Sequence, residues 1–263
     1  MTQNLVRYEY DAGAARITLA DGERGNALGL ALVDQLLDAV RQAGRDAAKV
    51  IVLAADGRFF SVGGDLAAFG AAQDRSMLID DLAEALHRVV SELIRSDAIV
   101  VSVVQGTAAG AGFPLAAVGD VVLASDTAKF SLAYTKVGLS PDGGSSLLVQ
   151  TLGLHRTLRL ALLGDLLSAQ EAYDAGLVAR VVPADELPRV VDQVVGARVA
   201  GSAPAQASAK RLLREAAAAS PETALRRESL SIRTLVGTAD GVEGITAFLE
   251  KRAPSFGQAD ATS

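Results

Sequence analysis

The chain of 263 residues contains no cysteine. Disulfides, thiolate nucleophiles and cysteine-ligated metals are therefore excluded. It contains no tryptophan either, and aromatic residues make up only 4%. Its core must be built from Ala, Val, Leu and Ile in close packing. Positive charge is short: 25 Lys and Arg stand against 31 Asp and Glu, for a net charge of −6. The broad basic footprint of a nucleic-acid binder is missing, although a local basic patch for a phosphorylated ligand is not excluded. No apolar run approaches the roughly 20 residues of a membrane-spanning helix. The longest, AIVVSVVQ (98–105), fits a buried strand. The start, MTQNLVRYEY, lacks the basic-then-apolar pattern of a secretion signal. The expectation is a cytoplasmic protein with no membrane span and no nucleic-acid partner.

Half of the residues are hydrophobic and 21% are charged, so the chain is globular, with one large domain or a domain plus an appendage. VRYEY (6–10) and ARITLA (15–20) alternate around DAG and predict a hairpin. NALGLALVDQLLDAVRQAG (26–44) has helical spacing and ends in glycine. KVIVLAAD (49–56), IVVSVVQG (99–106), VVLAS (121–125), KFSLA (129–133) and LVARVVP (177–183) predict further strands. A long helix fits 75–96. GGSSLLVQTLG and LHRTLRLALLG predict helical pieces, and SAQEAYDAGL opens with a capping box, Ser168 with Glu171. Beyond residue 184 every segment reads as helix, one of them starting with Ser220 as N-cap and Pro221 at its first position. The tail GQADATS is expected to be disordered. Two strands followed by a helix recur, which predicts a mixed α/β core.

Two glycine-rich turns each follow a strand: SVGGDL (61–66) and GAGFPLA (110–116). Neither is a nucleotide cradle. The second has Leu115 where G-x-G-x-x-G needs its last glycine, and no G-K-[ST] exists. Small residues at such turns leave backbone N–H groups approachable. Two turns of this kind can aim two N–H groups at one point, an oxyanion hole for a carbonyl that becomes an enolate. The alternative is that the glycines only permit close packing.

Six stretches resemble the crotonase (enoyl-CoA hydratase/isomerase) superfamily in order and spacing. They are ERGNALGLALVDQL (23–36), FFSVGGDLAAF (59–69), QGTAAGAGFPLAAVGD (105–120), KFSLAYTKVGLSPDGG (129–144), LLGDLLSAQEAYDAGLVARVV (162–182) and GITAFLEKRAPSF (244–256). The resemblance implies an α/β fold, a crotonase spiral of ββα turns over residues 1–198 that carries the acyl-CoA site. It also implies a helical trimerisation region over 199–263, giving a homotrimer or a dimer of trimers. An acyl-CoA thioester would be the substrate, with coenzyme A entering as part of it and no separate cofactor or metal. The oxyanion hole would be the N–H groups of Gly64 and Ala111. Arg24, Ala27, Gly63, Asp65 and Leu66 would line the CoA path, with Gly110, Pro114 and Tyr134 at the acyl site. Phe248 and Lys251 would reach a CoA bound to a neighbouring subunit.

The two glutamates of the family's hydratases would fall at Pro114 and Tyr134, and neither is a carboxylate. Hydration needs two coordinated proton events. Moving a double bond needs one base that removes a proton from C2 and returns it at C4. In the family's isomerase branches, including the Δ3,Δ2-enoyl-CoA and epoxyphenylacetyl-CoA isomerases, an acid sits in the loop that LSPDGG matches. Asp142 is therefore the expected sole acid/base of an enoyl-CoA isomerase. Set against this, Ser140-Pro141-Asp142 is also an ordinary helix start, where an acid suits the dipole. The alternatives are a hydratase that uses Asp142 and an ordered water, and a non-catalytic acyl-CoA binder. Asp65 reads as an N-cap that holds the first glycine turn. The polar flank ALHRVV places His87 on a surface, and His155 in GLHRTLRL reads as packing or capping. Tyr134 is expected in the wall of the acyl pocket, donating to a polar substrate. Residues 71–96 are expected to shape that pocket.

Overall fold

A computed structural model of the chain describes residues 4–217 and 220–257. The tail expected to be disordered lies outside these, apart from Gly257. After an opening hairpin and helix, the first half repeats one unit: a strand for a large sheet, a strand for a small sheet, then helix. The hairpin β1 (Val6–Asp11) and β2 (Ala14–Leu19) leads to α1 (Leu30–Arg45). Next come β3 (Val50–Ala55) and β4 (Phe59–Ser61), with helices α2 (Leu66–Ala71) and α3 (Arg75–Arg95). Then follow β5 (Ile99–Val104), β6 (Thr107–Ala109) and α4 (Gly112–Ala117), and after them β7 (Val121–Ser125) and β8 (Lys129–Ser131). The large sheet has the order β1-β2-β3-β5-β7-β10, and the small one β4-β6-β8-β9. The closing strands are β9 (Leu166–Ser168) and β10 (Arg180–Val182). All pairings among β2, β3, β5, β7 and β10 are parallel, as are β4–β6 and β6–β8. Parallel strands are covered on both faces and read as continuous apolar runs, as VIVLAA and IVVSVV do.

α5 (Leu148–Leu152), α6 (Leu154–Leu163) and α7 (Ala169–Asp174) complete this part, α7 with the expected capping box of Ser168 and Glu171. The last four helices are α8 (Leu187–Ala200), α9 (Ala203–Ala217), α10 (Pro221–Val236) and α11 (Ala239–Leu249). α8 lies on the large sheet, where Leu187, Val190 and Val191 bury against Val50, Val101 and Leu123. The expected division after residue 198 thus falls inside α8. α9 is anchored by the buried ammonium of Lys210, which donates to the carbonyls of Leu93 and Ala98 and meets Asp120, each at 2.9 Å. α10 packs along α3, with Arg95 and Ser91 both bound to Glu222. Ser220 begins α10, but its hydroxyl turns to Thr223 at 3.0 Å instead of capping a backbone N–H. Among the described residues no helix is long and apolar enough to cross a membrane.

One predicted helix starts late. Residues 26–29 are not helical, because their backbone is engaged by the first glycine turn. The N–H of Leu28 donates to Gly63 (2.8 Å), and Asp65 donates to the carbonyl of Leu28 (3.2 Å). Asn26 donates to the carbonyls of Asp56 and Phe59, and Ser61 donates to the carbonyl of Asn26. Helical amides of 26–28 would leave that turn unsupported.

Candidate active site

Strands β4, β6 and β8 are parallel neighbours, so their C-terminal ends open at one edge of the small sheet. From these ends come Gly64, Ala111 and Tyr134, the last in a short 3-10 helix, Ala133–Val137. The turns after β4 and β6 touch. A Cβ on Gly63 would lie 2.8 Å from the carbonyl oxygen of Ala109 and 3.3 Å from the nitrogen of Ala111, and its φ of 91° favours glycine as well. The neighbouring amides are used to pin the turns. Gly63 donates to Ser61 Oγ (3.1 Å) and Gly110 donates to the carbonyl of Ser131 (3.0 Å). The N–H groups of Gly64 and Ala111 donate to no protein acceptor among the described residues.

Both residues line a cavity of about 230 Å³. Leu66 and Phe69 of α2 and Ile79, Leu82, Ala83 and Leu86 of α3 form its apolar wall, so the segment 71–96 shapes it as expected. Asp142 and Tyr134 line it too, and Gly110 and Phe248 complete it. Among the described lining residues Asp142 is the one carboxylate. Phe248 reaches this cavity from α11. Lys251 lies beyond the end of α11 and is exposed. Arg24 is half exposed and donates to Asp65 Oδ2 at 2.8 Å. Asp65 caps α2, as expected, by accepting from the N–H of Ala68 at 3.1 Å. Ala27 is half-buried beside this turn. Pro114 is not in this wall. It lines a second cavity, of about 70 Å³, with Val90, Gly144 and Leu148.

The loop that carries Asp142 starts no helix at that residue. The next helical turn begins at Ser145, with Gly144 in the capping position. The helix-start alternative for Asp142 therefore does not hold. Two hydroxyls grip the backbone of Asp142 instead: Tyr134 donates to its carbonyl oxygen at 2.9 Å and Ser145 at 2.7 Å. Tyr134 thus spends its proton on the loop, which corrects the expectation that it donates to substrate. Burial, with the charges of Asp142 and Glu228 added, pushes its hydroxyl well above the usual range, so it stays a neutral donor.

Two residues that sequence reasoning missed complete the site. His87, expected at a surface, is buried at 6% exposure, with Nε2 2.9 Å from Asp142 Oδ1. The reason is that α3 is enclosed by α1 on one side and α10 on the other, so its polar-flanked face is also interior. The other histidine, His155, is exposed, not packed. Glu228 of α10 is equally buried. It accepts from the amides of Gly144 (2.8 Å), Ser145 (3.2 Å) and Ser146 (2.7 Å), and from the Ser146 hydroxyl. It serves as a side-chain cap for the loop that follows Asp142. Burial raises the carboxyl of Glu228 above its ordinary value, against the pull of the Ser146 and Gly144 donors. No sequence signal marks it, since a Glu in RRESLSIR looks like an exposed helix position. His87, Asp142 and Glu228 form a group with ligand-type atoms within 4.8 Å, which was not foreseen. A cation there would require Glu228 to give up donors that already saturate it.

The family model for enoyl-CoA hydratase/isomerase matches residues 9–259. The chain belongs to that family, an enzyme family that acts on acyl-CoA thioesters, and has its crotonase fold. A trans-2-decenoyl-[acyl-carrier-protein] isomerase of Streptococcus mutans is 31% identical over 95% of this chain and 97% of its own length. The 1,2-epoxyphenylacetyl-CoA isomerase of Escherichia coli K12 is 34% identical, covering 94% and 95%. The crystal structure of an enoyl-CoA hydratase from Mycobacterium avium subsp. paratuberculosis K-10 superposes with a TM-score of 0.88 at 35% identity, over 97% of this chain and 99% of that one. Similarity therefore extends to isomerases and to a hydratase alike.

Proposed function

We propose that the protein is an enoyl-CoA isomerase in which Asp142 is the sole acid/base. The observation that carries this is the lone carboxylate in the wall of the cavity, with the unpartnered amides of Gly64 and Ala111 in the same wall. The thioester oxygen accepts hydrogen bonds from these two amides. Asp142 takes a proton from C2, and the C2–H electrons pass into the conjugated enolate, whose negative charge rests on the oxygen. The protonated Asp142 then returns the proton at C4, and the double bond moves from C3=C4 to C2=C3. Two amides preorganised in an apolar cavity stabilise this charge more than water does. No resident cofactor or metal takes part, and coenzyme A enters with the substrate.

A hydratase would need a second group to deliver or accept a proton. Pro114 lies outside the wall, the Tyr134 hydroxyl is committed to the loop, and Glu228 is saturated by loop donors and does not line the cavity. The geometry of this chain therefore favours isomerisation. The test is exchange of the C2 protons of a 3-enoyl-CoA in D2O, followed by NMR. Wild type should exchange and isomerise, and Asp142→Asn should lose about 10²–10⁴-fold. Equal rates would remove Asp142 from the chemistry. Rapid formation of a 3-hydroxyacyl-CoA from crotonyl-CoA would favour the hydratase instead.

A further inference from the structure

Two buried carboxylates stand close together, Asp142 in the cavity wall and Glu228 behind it. Like charges so placed do not both ionise readily unless a cation lies beside them. Among the described residues the one basic side chain paired with either is His87, at 2.9 Å from Asp142 Oδ1 and 3.9 Å from Glu228 Oε2. The ring is held at its other nitrogen too: Nδ1 is 3.0 Å from Ser229 Oγ, next to Glu228 on α10. His87 does not line the cavity, so it meets Asp142 from behind and not from the substrate side. It covers Oδ1 of Asp142, and Oδ2 is the oxygen left to the cavity. The Nε2–Oδ1 contact is short, and Asp142 Oδ1 has no other partner among the described residues. Asp142 acts on the ring through this contact and through its charge, and both favour the imidazolium.

We propose that His87 is a positioning residue: an imidazolium held between Glu228 and Asp142, which occupies one oxygen of Asp142 and keeps that residue an ionised base. The kinetic part of this rests on the isomerase reading, while the charge pair does not. Four charged or titratable groups face the ring or its partner. Glu84 is on the same helix, Asp142 and Tyr134 come from the loop side, and Glu228 comes from α10. Burial is the largest single influence on His87 and opposes its charge, but Asp142, Glu228 and Glu84 together outweigh it and raise its pKa. With the imidazolium gone, the carboxylates of Asp142 and Glu228 face each other in the interior without a cation beside them. The acid limb of the rate profile then moves to higher pH.

The chain has only two histidines, and the exposed His155 serves as an internal reference. Ring nitrogens of 15N-histidine-labelled protein are followed by NMR through a pH titration, in wild type and Asp142→Asn. The expected result is that His87 stays doubly protonated at a pH where His155 is already neutral, and that its midpoint falls in Asp142→Asn. A neutral His87 where His155 is half-titrated, or a midpoint indifferent to Asp142→Asn, overturns the proposal. In the kinetic arm His87→Gln should lose about 10-fold or more in kcat at pH 7, with KM little changed, and recover as pH rises. A uniform loss at every pH would also overturn it, because that is the mark of a merely structural residue. If wild type shows no turnover but the NMR shift is present, the isomerase reading fails and the charge pair stands.

Discussion

Glu228 does for the loop that follows Asp142 what an N-cap does for a helix, from a side chain on another element. Three amides and one hydroxyl converge on its two oxygens. Removing it strands those donors in the interior, where each unsatisfied group costs about 1–3 kcal/mol. Glu228→Ala should therefore destabilise the fold by roughly 3 kcal/mol or more, measured by urea unfolding. Glu228→Gln keeps an acceptor oxygen and should cost less. Asp142 was singled out in the sequence only through the family resemblance of its loop, because a proline–acid pair before two glycines also reads as an ordinary helix start. Its partners were not. His87 and Glu228 sit in helical stretches where charged neighbours signal a solvated face, and only the packing of α10 on α3 turns those positions inward. The amides of Gly64 and Ala111 were legible as parts of small-residue turns after strands, while their freedom from other acceptors was visible only in the hydrogen-bond pattern.

At the scale of elements, the site depends on how α11 meets the Ala133–Val137 turn. A Cβ on Gly244 would come within 2.4 Å of the carbonyl carbon and oxygen of Val137, which is backbone and cannot give way cheaply. Gly244→Ala should push α11 outward at a cost of about 1–3 kcal/mol. Because α11 brings Phe248 to the cavity, KM for the acyl thioester should rise more than kcat falls. Steady-state kinetics beside a melting curve checks both. The strands of the large sheet were legible as β-branched apolar runs. β4, β6 and β9, of three residues each, were not, since they lie in or beside glycine-rich turns and short helices with no longer apolar run around them, unlike the equally short β8 and β10. The start of α1 was misplaced because propensity alone does not register that Asn26 and Leu28 are claimed by the glycine turn.

The molecule as a whole should be most stable at mildly acidic pH. His87 and Glu228 have raised pKa values in the fold, so their contribution is present below their unfolded values and is lost as pH rises through the folded ones. Glu222, held at about 2 mainly by its hydrogen bond to Arg95, contributes in the opposite sense: fully above its ordinary 4.5, and lost as pH falls toward 2. Calorimetry should show the melting temperature of wild type falling from pH 6 to 9. The gap between wild type and His87→Gln should narrow over the same range. For assembly, we propose the homotrimer or dimer of trimers that the family resemblance implies. Exposed Leu154, Leu158, Leu162 and Leu163 on α6 offer apolar surface suited to burial against another subunit. Light scattering on the purified chain should give three or six subunits, and a monomer would contradict this.

The central claim is that one carboxylate moves one proton between two carbons of a thioester-bound acyl chain. It is tested most directly with a 3-enoyl-CoA deuterated at C2, turned over in ordinary water and read by mass spectrometry and NMR. The account predicts a 2-enoyl-CoA in which part of the deuterium lost from C2 appears at C4, and loss of this product in Asp142→Asn. A 3-hydroxyacyl-CoA as the main product, or an Asp142→Asn protein that forms the 2-enoyl product at the wild-type rate, would contradict it.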